Sequence, residues 1–381
     1  MNFLFAIATT IGMTFIPLLI TDSLGLSLAI LGLIEGSTEF ISNVLRLVTG
    51  NLFDRIKNKR LLFILPATLA FISKLILFIP NVFTILAAKT IERIANGAFA
   101  APRDAYIGEN ARNTGLALGI LSFTKTSGCI LGPVLVSATS VLIGPIKDNI
   151  LIILFLACLV NFIGFGLSFI INTKKNLTLS QAKAEEFNFK EMKQSFKKLK
   201  PLFILSFLFF LGRFNDGMIM IHLKNEGFPE WFYLATISFF NIVMMIISPF
   251  MGYWIDKKKE RSILLITIVG LFGFNMFFSK VAGISWFFAS LGLICWGIQR
   301  AGAQITFISM IFKQTPVKYY GSAVGVFSLI SGFGVFIASM ISGRLAQLSF
   351  KYVFYLNGSL SFCTLLLAGY ILYFKDQDNK V

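Results

Sequence analysis

Charged residues are scarce in this chain of 381 residues: Asp, Glu, Lys and Arg make up 14% of it, and 56% is hydrophobic. Soluble domains carry about a quarter charged residues, so the composition excludes an ordinary water-soluble protein and points to a bilayer. Histidine is nearly absent. The single one, His222, has no second ligand or nucleophile beside it, which argues against histidine-based catalysis. The four cysteines (Cys129, Cys158, Cys295, Cys363) lie singly within apolar segments, so disulfides and a zinc site are not expected. No phosphate-binding Gly-x-x-x-x-Gly-Lys-Ser/Thr loop occurs, so ATP is not the evident energy source, and neither cofactor nor metal is expected. The first 20 residues lack a charged n-region and a persuasive cleavage site, and read as a membrane helix instead of a removable signal. Acidic residues number 18 against 34 basic ones, giving a net charge of +16. Nucleic acid is still not an expected partner, because the positive charge lies in short loops between apolar runs.

Those runs dominate the chain. About 20 apolar residues span a bilayer as a helix. Twelve such runs are found, at roughly 3–21, 28–50, 61–80, 82–101, 116–143 and 150–172, then 202–221, 232–254, 262–280, 284–312, 320–343 and 351–374. The pattern predicts an all-α membrane protein with twelve transmembrane helices in two six-helix halves. The halves are 1–172 and 201–381, joined by a basic linker at 173–200 that holds eight lysines. Phe187, Phe189, Met192 and Phe196 in that linker have the spacing of a short amphipathic surface helix, although a plain tether is the simpler reading. Lysine and arginine orient the bundle. With both termini in the cytoplasm, cytoplasmic segments hold 22 of them and external segments 5.

A polar stretch occurs twice. Gly50-Asn51-Leu52-Phe53-Asp54-Arg55 is followed by Lys59 and Arg60; Gly252-Tyr253-Trp254-Ile255-Asp256-Lys257 is followed by Lys258, Lys259 and Arg261. The two glycines, and the two aspartates, are 202 residues apart, as expected for a duplicated membrane half. The first copy resembles the loop between helices 2 and 3 of the major facilitator superfamily of secondary transporters, although Lys57 and Asn58 stand where that family usually has a second glycine. The resemblance implies a conformational role for Gly50, Asp54 and Arg55, and for Gly252, Asp256 and Lys257. It also implies that Asp54 caps or pairs with a helix of the other half.

Charges inside apolar runs are costly and usually functional. Seven are basic (Arg46, Lys74, Lys89, Arg93, Lys125, Arg213, Arg300) and four acidic (Glu35, Glu39, Glu92, Asp216). Glu35, Glu39, Asn43 and Arg46 share one helical face, and Lys89, Glu92, Arg93 and Asn96 another. Arg213 and Asp216 have the spacing of a helical ion pair, and Glu92 has Lys89 and Arg93 as neighbours. Glu35 and Glu39 are then each other's nearest charge, so they are expected to share a proton and to carry proton coupling. Helix 4 reads Arg93-Ile94-Ala95-Asn96-Gly97, followed by Ala101, similar to the family's Arg-x-x-Gln-Gly-x-x-x-Ala. The resemblance places helices 1, 4, 7 and 10 around a central cavity. It makes Arg93, Asn96, Arg213, Asp216, Arg300, Gln304, Thr10 and Thr14 the candidate substrate-binding residues. Gly128-Cys129-Ile130-Leu131-Gly132-Pro133 is similar to a Gly-x-x-x-Gly-Pro stretch of the family's exporters. Gly128, Gly132 and Pro133 can serve as a bent gate or as ordinary small-residue packing.

The expected activity is alternating-access, proton-coupled export of a small organic solute, anionic or zwitterionic because basic groups exceed acidic ones inside the runs. Proton-coupled import of a metabolite is the alternative. A polytopic membrane enzyme would need a converging catalytic set, and a sensor a sizeable soluble output domain; neither is found. The partners expected are the small-molecule substrate, protons and the lipid bilayer of a plasma membrane (the inner membrane, in a bacterium), with the protein acting as a monomer.

Overall fold

The structure is a computed structural model, and it describes residues 2–18, 27–56, 59–79, 82–142, 150–169, 189–279 and 285–378. Inside a bilayer every backbone N–H and C=O must be satisfied within the protein, which favours helices. All regular elements among the described residues are helical. They are α1 (Asn2–Leu18), α2 (Leu28–Arg55), α3 (Leu61–Ile76), α4 (Val82–Asn110), α5 (Thr114–Leu142), α6 (Ile150–Ser168), α7 (Phe189–Leu211), α8 (Asp216–Asn225), α9 (Glu230–Asp256), α10 (Glu260–Phe278), α11 (Trp286–Gln314), α12 (Tyr320–Leu348) and α13 (Phe350–Asp378), with a short 3-10 turn at Val317–Tyr319.

The described part of each of the twelve apolar runs is essentially helical, and the seventh run is split into α7 and α8. Helix α7 begins at Phe189, so the last part of the expected linker continues into the seventh span. Positions 173–188 of that linker, together with Lys57, Asn58, Lys147 and Lys280, lie outside the described residues. Eight helices among the described residues, with α7 and α8 counted as one, are long and apolar enough to cross a membrane. Helices α1 and α3 are shorter and apolar. Helices α4 and α11 are 29 residues each, long enough to span, and are less apolar because they carry the buried polar groups.

In the first half α4 packs on α2 and α3, and α1 on α5 and α6. In the second, α11 packs on α9 and α10, and α7 on α12 and α13. The halves meet along two seams, α2 with α12 and α5 with α9. Both seams are backbone contacts. A methyl group on Gly50 would overlap the Gly321 carbonyl, and one on Gly252 would overlap the Gly115 carbonyl. Only glycine allows helices to approach so closely. The second half has an aromatic core in which Trp296 is fully buried, its ring 4.4 Å from that of Phe274. Large rings in offset contact hold one another in place, which makes Trp296 a fixed post for its indole N–H.

Candidate functional site

The repeated stretches are the last turns of helices. Asp54, at the end of α2, accepts hydrogen bonds from the backbone N–H of Gly321 (3.0 Å) and Ser322 (2.7 Å) and from the Ser322 hydroxyl (2.8 Å). Asp256, at the end of α9, accepts from the N–H of Gly115 (2.9 Å) and Leu116 (2.7 Å). Each aspartate thus caps the N-terminus of a helix in the opposite half. The first N–H groups of a helix have no partner of their own and sit at its positive dipole end, so a carboxylate is the natural cap. Arg55 is exposed, and the Lys257 ammonium lies 4.4 Å from the centre of the Tyr253 ring. Further along the same end, buried Asp104 of α4 accepts from Gln304 Nε2 of α11 (3.0 Å) and from its neighbour Arg103, which also donates to Asn2 Oδ1 of α1 (3.2 Å). These contacts shut the space between the halves at the end bearing the repeated stretches.

Above them, charges converge. Lys89 and Arg93, one turn apart on α4, face Glu35 and Glu39, one turn apart on α2. Lys89 pairs with Glu35, and Arg93 pairs with Glu39 at 2.7 Å and reaches Glu35 at 3.7 Å. The expectation that Glu35 and Glu39 are each other's nearest charge is therefore corrected: each carboxylate has a cation from α4 closer than its fellow. Glu92 does not pair with Lys89 or Arg93. It meets Lys74 of α3 at 2.7 Å, the lysine being almost wholly buried. Asp216 does not pair with Arg213 either. Helix α7 ends at Leu211, and Asn215 caps α8 by accepting the Gly217 N–H at 2.8 Å, so Arg213 lies in the break and helical spacing does not apply. Asp216 instead takes Arg300 and the Trp296 indole N–H (3.0 Å), both from α11. The side chains of Glu39 and Asp216 remain 30% and 34% uncovered by protein, so the packing leaves space beside these two carboxylates.

Three cations in this space have no carboxylate in ion-pair range among the described residues: Arg46 on α2, Lys125 on α5 and Arg213. Arg46, Arg213 and Lys125 all lie within electrostatic reach of Glu39, and Lys125 within reach of Arg46, Arg103 and Arg300. The Arg213 guanidinium lies 5.8 and 5.5 Å from the ring centres of Phe210 and Trp296, a cation–π contact that leaves its hydrogen bonds unused.

Other expected residues sit elsewhere. Thr10 and Thr14 are buried, and their hydroxyls donate to their own helix, to the carbonyls of Ala6 (2.7 Å) and Thr10 (2.8 Å); they do not line the open space. Gly128 and Gly132 pack against α1, Gly128 on Phe3 and Ala6 and Gly132 on Thr10 and Ile7, so this stretch serves a contact within one half; Pro133 is inside α5. Asn96 is partly exposed, and its side chain has no hydrogen bond among the described residues. His222 is buried among Phe278, Phe350 and Phe354, with neither ring nitrogen hydrogen-bonded. No sequence signal singles out Ser322 or Trp296, which supply partners to charged groups, and Arg46 and Lys125 stand outside the expected site. Lys125 had a signal: no acidic residue stands within a turn of it on its own helix.

The residues and the fold have known counterparts. The family model of the Major Facilitator Superfamily matches residues 1–339 and 234–381. An MFS-type transporter of the archaeon Methanocaldococcus jannaschii is 25% identical over 98% of this chain and 92% of its own length. The quinolone resistance protein NorA of Staphylococcus aureus is 24% identical over 46% of this chain and 45% of its own. Among solved structures, the human organic anion transporter MFSD10 superposes with a TM-score of 0.75 at 13% identity, over 96% of this chain and 97% of that one. With a family model spanning the chain and two helical halves that cap each other through repeated aspartates, this multi-pass membrane protein belongs to the Major Facilitator Superfamily of transporters.

Proposed function

We propose that this transporter exports a small organic anion by alternating access, driven by protons. The observation that carries the reading is the set of cations with no carboxylate in ion-pair range among the described residues, Arg46, Lys125 and Arg213, all within electrostatic reach of Glu39. A cation withdrawn from bulk water and left unpaired is costly, and an arriving anion removes that cost. The shut end with its Asp54 and Asp256 caps then corresponds to the outward-facing state, given the cytoplasmic bias of positive charge. Kinship with a protein named for quinolone resistance favours export over uptake, since removing a compound from the cell confers resistance to it. The fold shared with an organic anion transporter is compatible with such cargo. For the proton, Glu39 is better placed than Glu35: its side chain is more exposed, 30% against 9%, so it can trade Arg93 for a proton from the open space. Asp216, partnered by Arg300, and Asn96 and Gln304 complete the proposed cargo surroundings.

The test uses the purified protein in proteoliposomes. An imposed pH gradient should drive accumulation of an organic anion in the export direction. Glu39→Gln should retain exchange of that anion across the membrane and lose gradient-driven accumulation. Accumulation that survives in Glu39→Gln removes this residue from coupling, and accumulation only in the opposite direction makes the protein an importer.

A further inference from the structure

The unpaired cations are divided between the two halves. Arg46 and Lys125 belong to the first, on α2 and α5, and Lys125 lies within electrostatic reach of Arg46. Arg213 belongs to the second, in the break between α7 and α8. Arg46 Nε is shut off from solvent and has no hydrogen-bond partner, an orphaned donor inside the bundle. Arg213 differs from its neighbour Arg300: Arg300 is held by Asp216, whereas the Arg213 guanidinium faces the rings of Phe210 and Trp296 and has no carboxylate in ion-pair range among the described residues. An incoming acid must displace an ion-paired carboxylate from Arg93 or Arg300, whereas these three feel Glu39 only from beyond ion-pair range among the described residues.

We propose that the cargo carries two acidic groups, one held by Arg46 and Lys125 of the first half and the other by Arg213 of the second. This rests on the organic-anion reading above and specifies it: the cargo is a compact organic dianion, a dicarboxylic or phosphorylated acid. The fork of N–H donors on arginine suits either group, and the lysine ammonium adds a point charge beside one of them. The two-group requirement follows from the motion. A ligand shifts a conformational equilibrium only by its difference in affinity for the two states. An acid that touches one half moves with that half and makes the same contacts throughout. An acid tethered to both halves is sensitive to their separation, and it leaves no unpaired cation to be desolvated on the opposite wall when the space closes.

The experiment measures thermal stabilisation of the purified full chain by succinate, glutarate and adipate and by their monomethyl esters, at matched ionic strength, since a ligand that binds only the folded state raises its melting temperature. A monomethyl ester keeps the carbon chain and removes one charge. At least one diacid should stabilise at a concentration roughly tenfold or more below that of its ester. Arg213→Gln and Lys125→Gln should each abolish that preference and leave the diacid and ester about equal. If Arg213→Gln does not fold, Arg213→Lys replaces it and should narrow the preference, because the ammonium keeps the charge and loses the fork. Equal stabilisation of the native chain by diacid and ester overturns the two-group inference and leaves the organic-anion reading standing. No stabilisation by any of these acids, nor by inorganic phosphate or sulfate, overturns both.

Discussion

Asp54 and Asp256 stand at the same place in the two halves, yet they are held unequally. Asp54 accepts from two backbone N–H groups and a hydroxyl, Asp256 from two backbone N–H groups. Among the described residues, one side chain separates the two caps: the residue after the capped glycine is Ser322 on α12 and Leu116 on α5. The α5–α9 seam has a compensating contact further along, Ser122 to Ser248 at 3.1 Å, but that bond joins two neutral groups. Hydrogen bonds to a charged group are roughly twice as strong as neutral ones. The α2–α12 seam is therefore the tighter lock of the shut end, and the α5–α9 seam should part first. The repeat supplies the plan of two caps, and among the described residues a single hydroxyl makes them unequal.

The largest effect should come from breaking what the seams have in common. Gly50→Val and Gly252→Val each push a side chain into a carbonyl of the facing helix, where backbone meets backbone. Each should cost the shut state about 2–3 kcal/mol, as overpacking does, so spin-label distances across the shut end should lengthen similarly in both. A lengthening in only one variant would mean that the seams are not built alike.

The next effect should separate them. Asp54→Asn removes the charge from three hydrogen bonds and should destabilise the shut state by about 2 kcal/mol, whereas Asp256→Asn should cost about 1 kcal/mol. Both variants should fold and reach the membrane, with transport slowed more by the first. Equal losses would remove Ser322 from the account.

The smallest effect isolates the hydroxyl. Ser322→Ala should cost about 0.5–1 kcal/mol and bring the α2–α12 cap close to its counterpart. It should have little further effect in an Asp54→Asn background, since residues in one hydrogen-bond network do not act additively. The reverse change, Leu116→Ser, should strengthen the Asp256 cap by a similar amount, read as slower opening of the shut end.

Much of the fold was legible from the chain, and for a local reason. A bilayer of fixed thickness demands about 20 apolar residues per span, and each such run can be counted without knowing its neighbours. The repeat of Gly50 and Asp54 at Gly252 and Asp256 is likewise a property of the chain alone, and the two aspartates cap equivalent helices across the seams. The break in the seventh run left a trace in Gly212, Arg213 and Asn215, a helix-ending glycine and a good N-cap. In an unbroken helix the same residues would place Arg213 and Asp216 at an ion-pair spacing, which the break removes.

Only the tertiary structure decided which charges meet. Glu35 meets Lys89, and Glu39 meets Arg93, each across 54 residues; Asp216 meets Arg300 across 84. Spacing along a helix tells which side chains share a face, and it says nothing about which helix that face will confront. Coulomb energy depends on the distance between charges in space, and that distance is fixed by how helices pack. The same packing left Arg46, Lys125 and Arg213 with no carboxylate in ion-pair range among the described residues, so the most informative feature of the site is a difference between what the sequence contains and what the fold brings together.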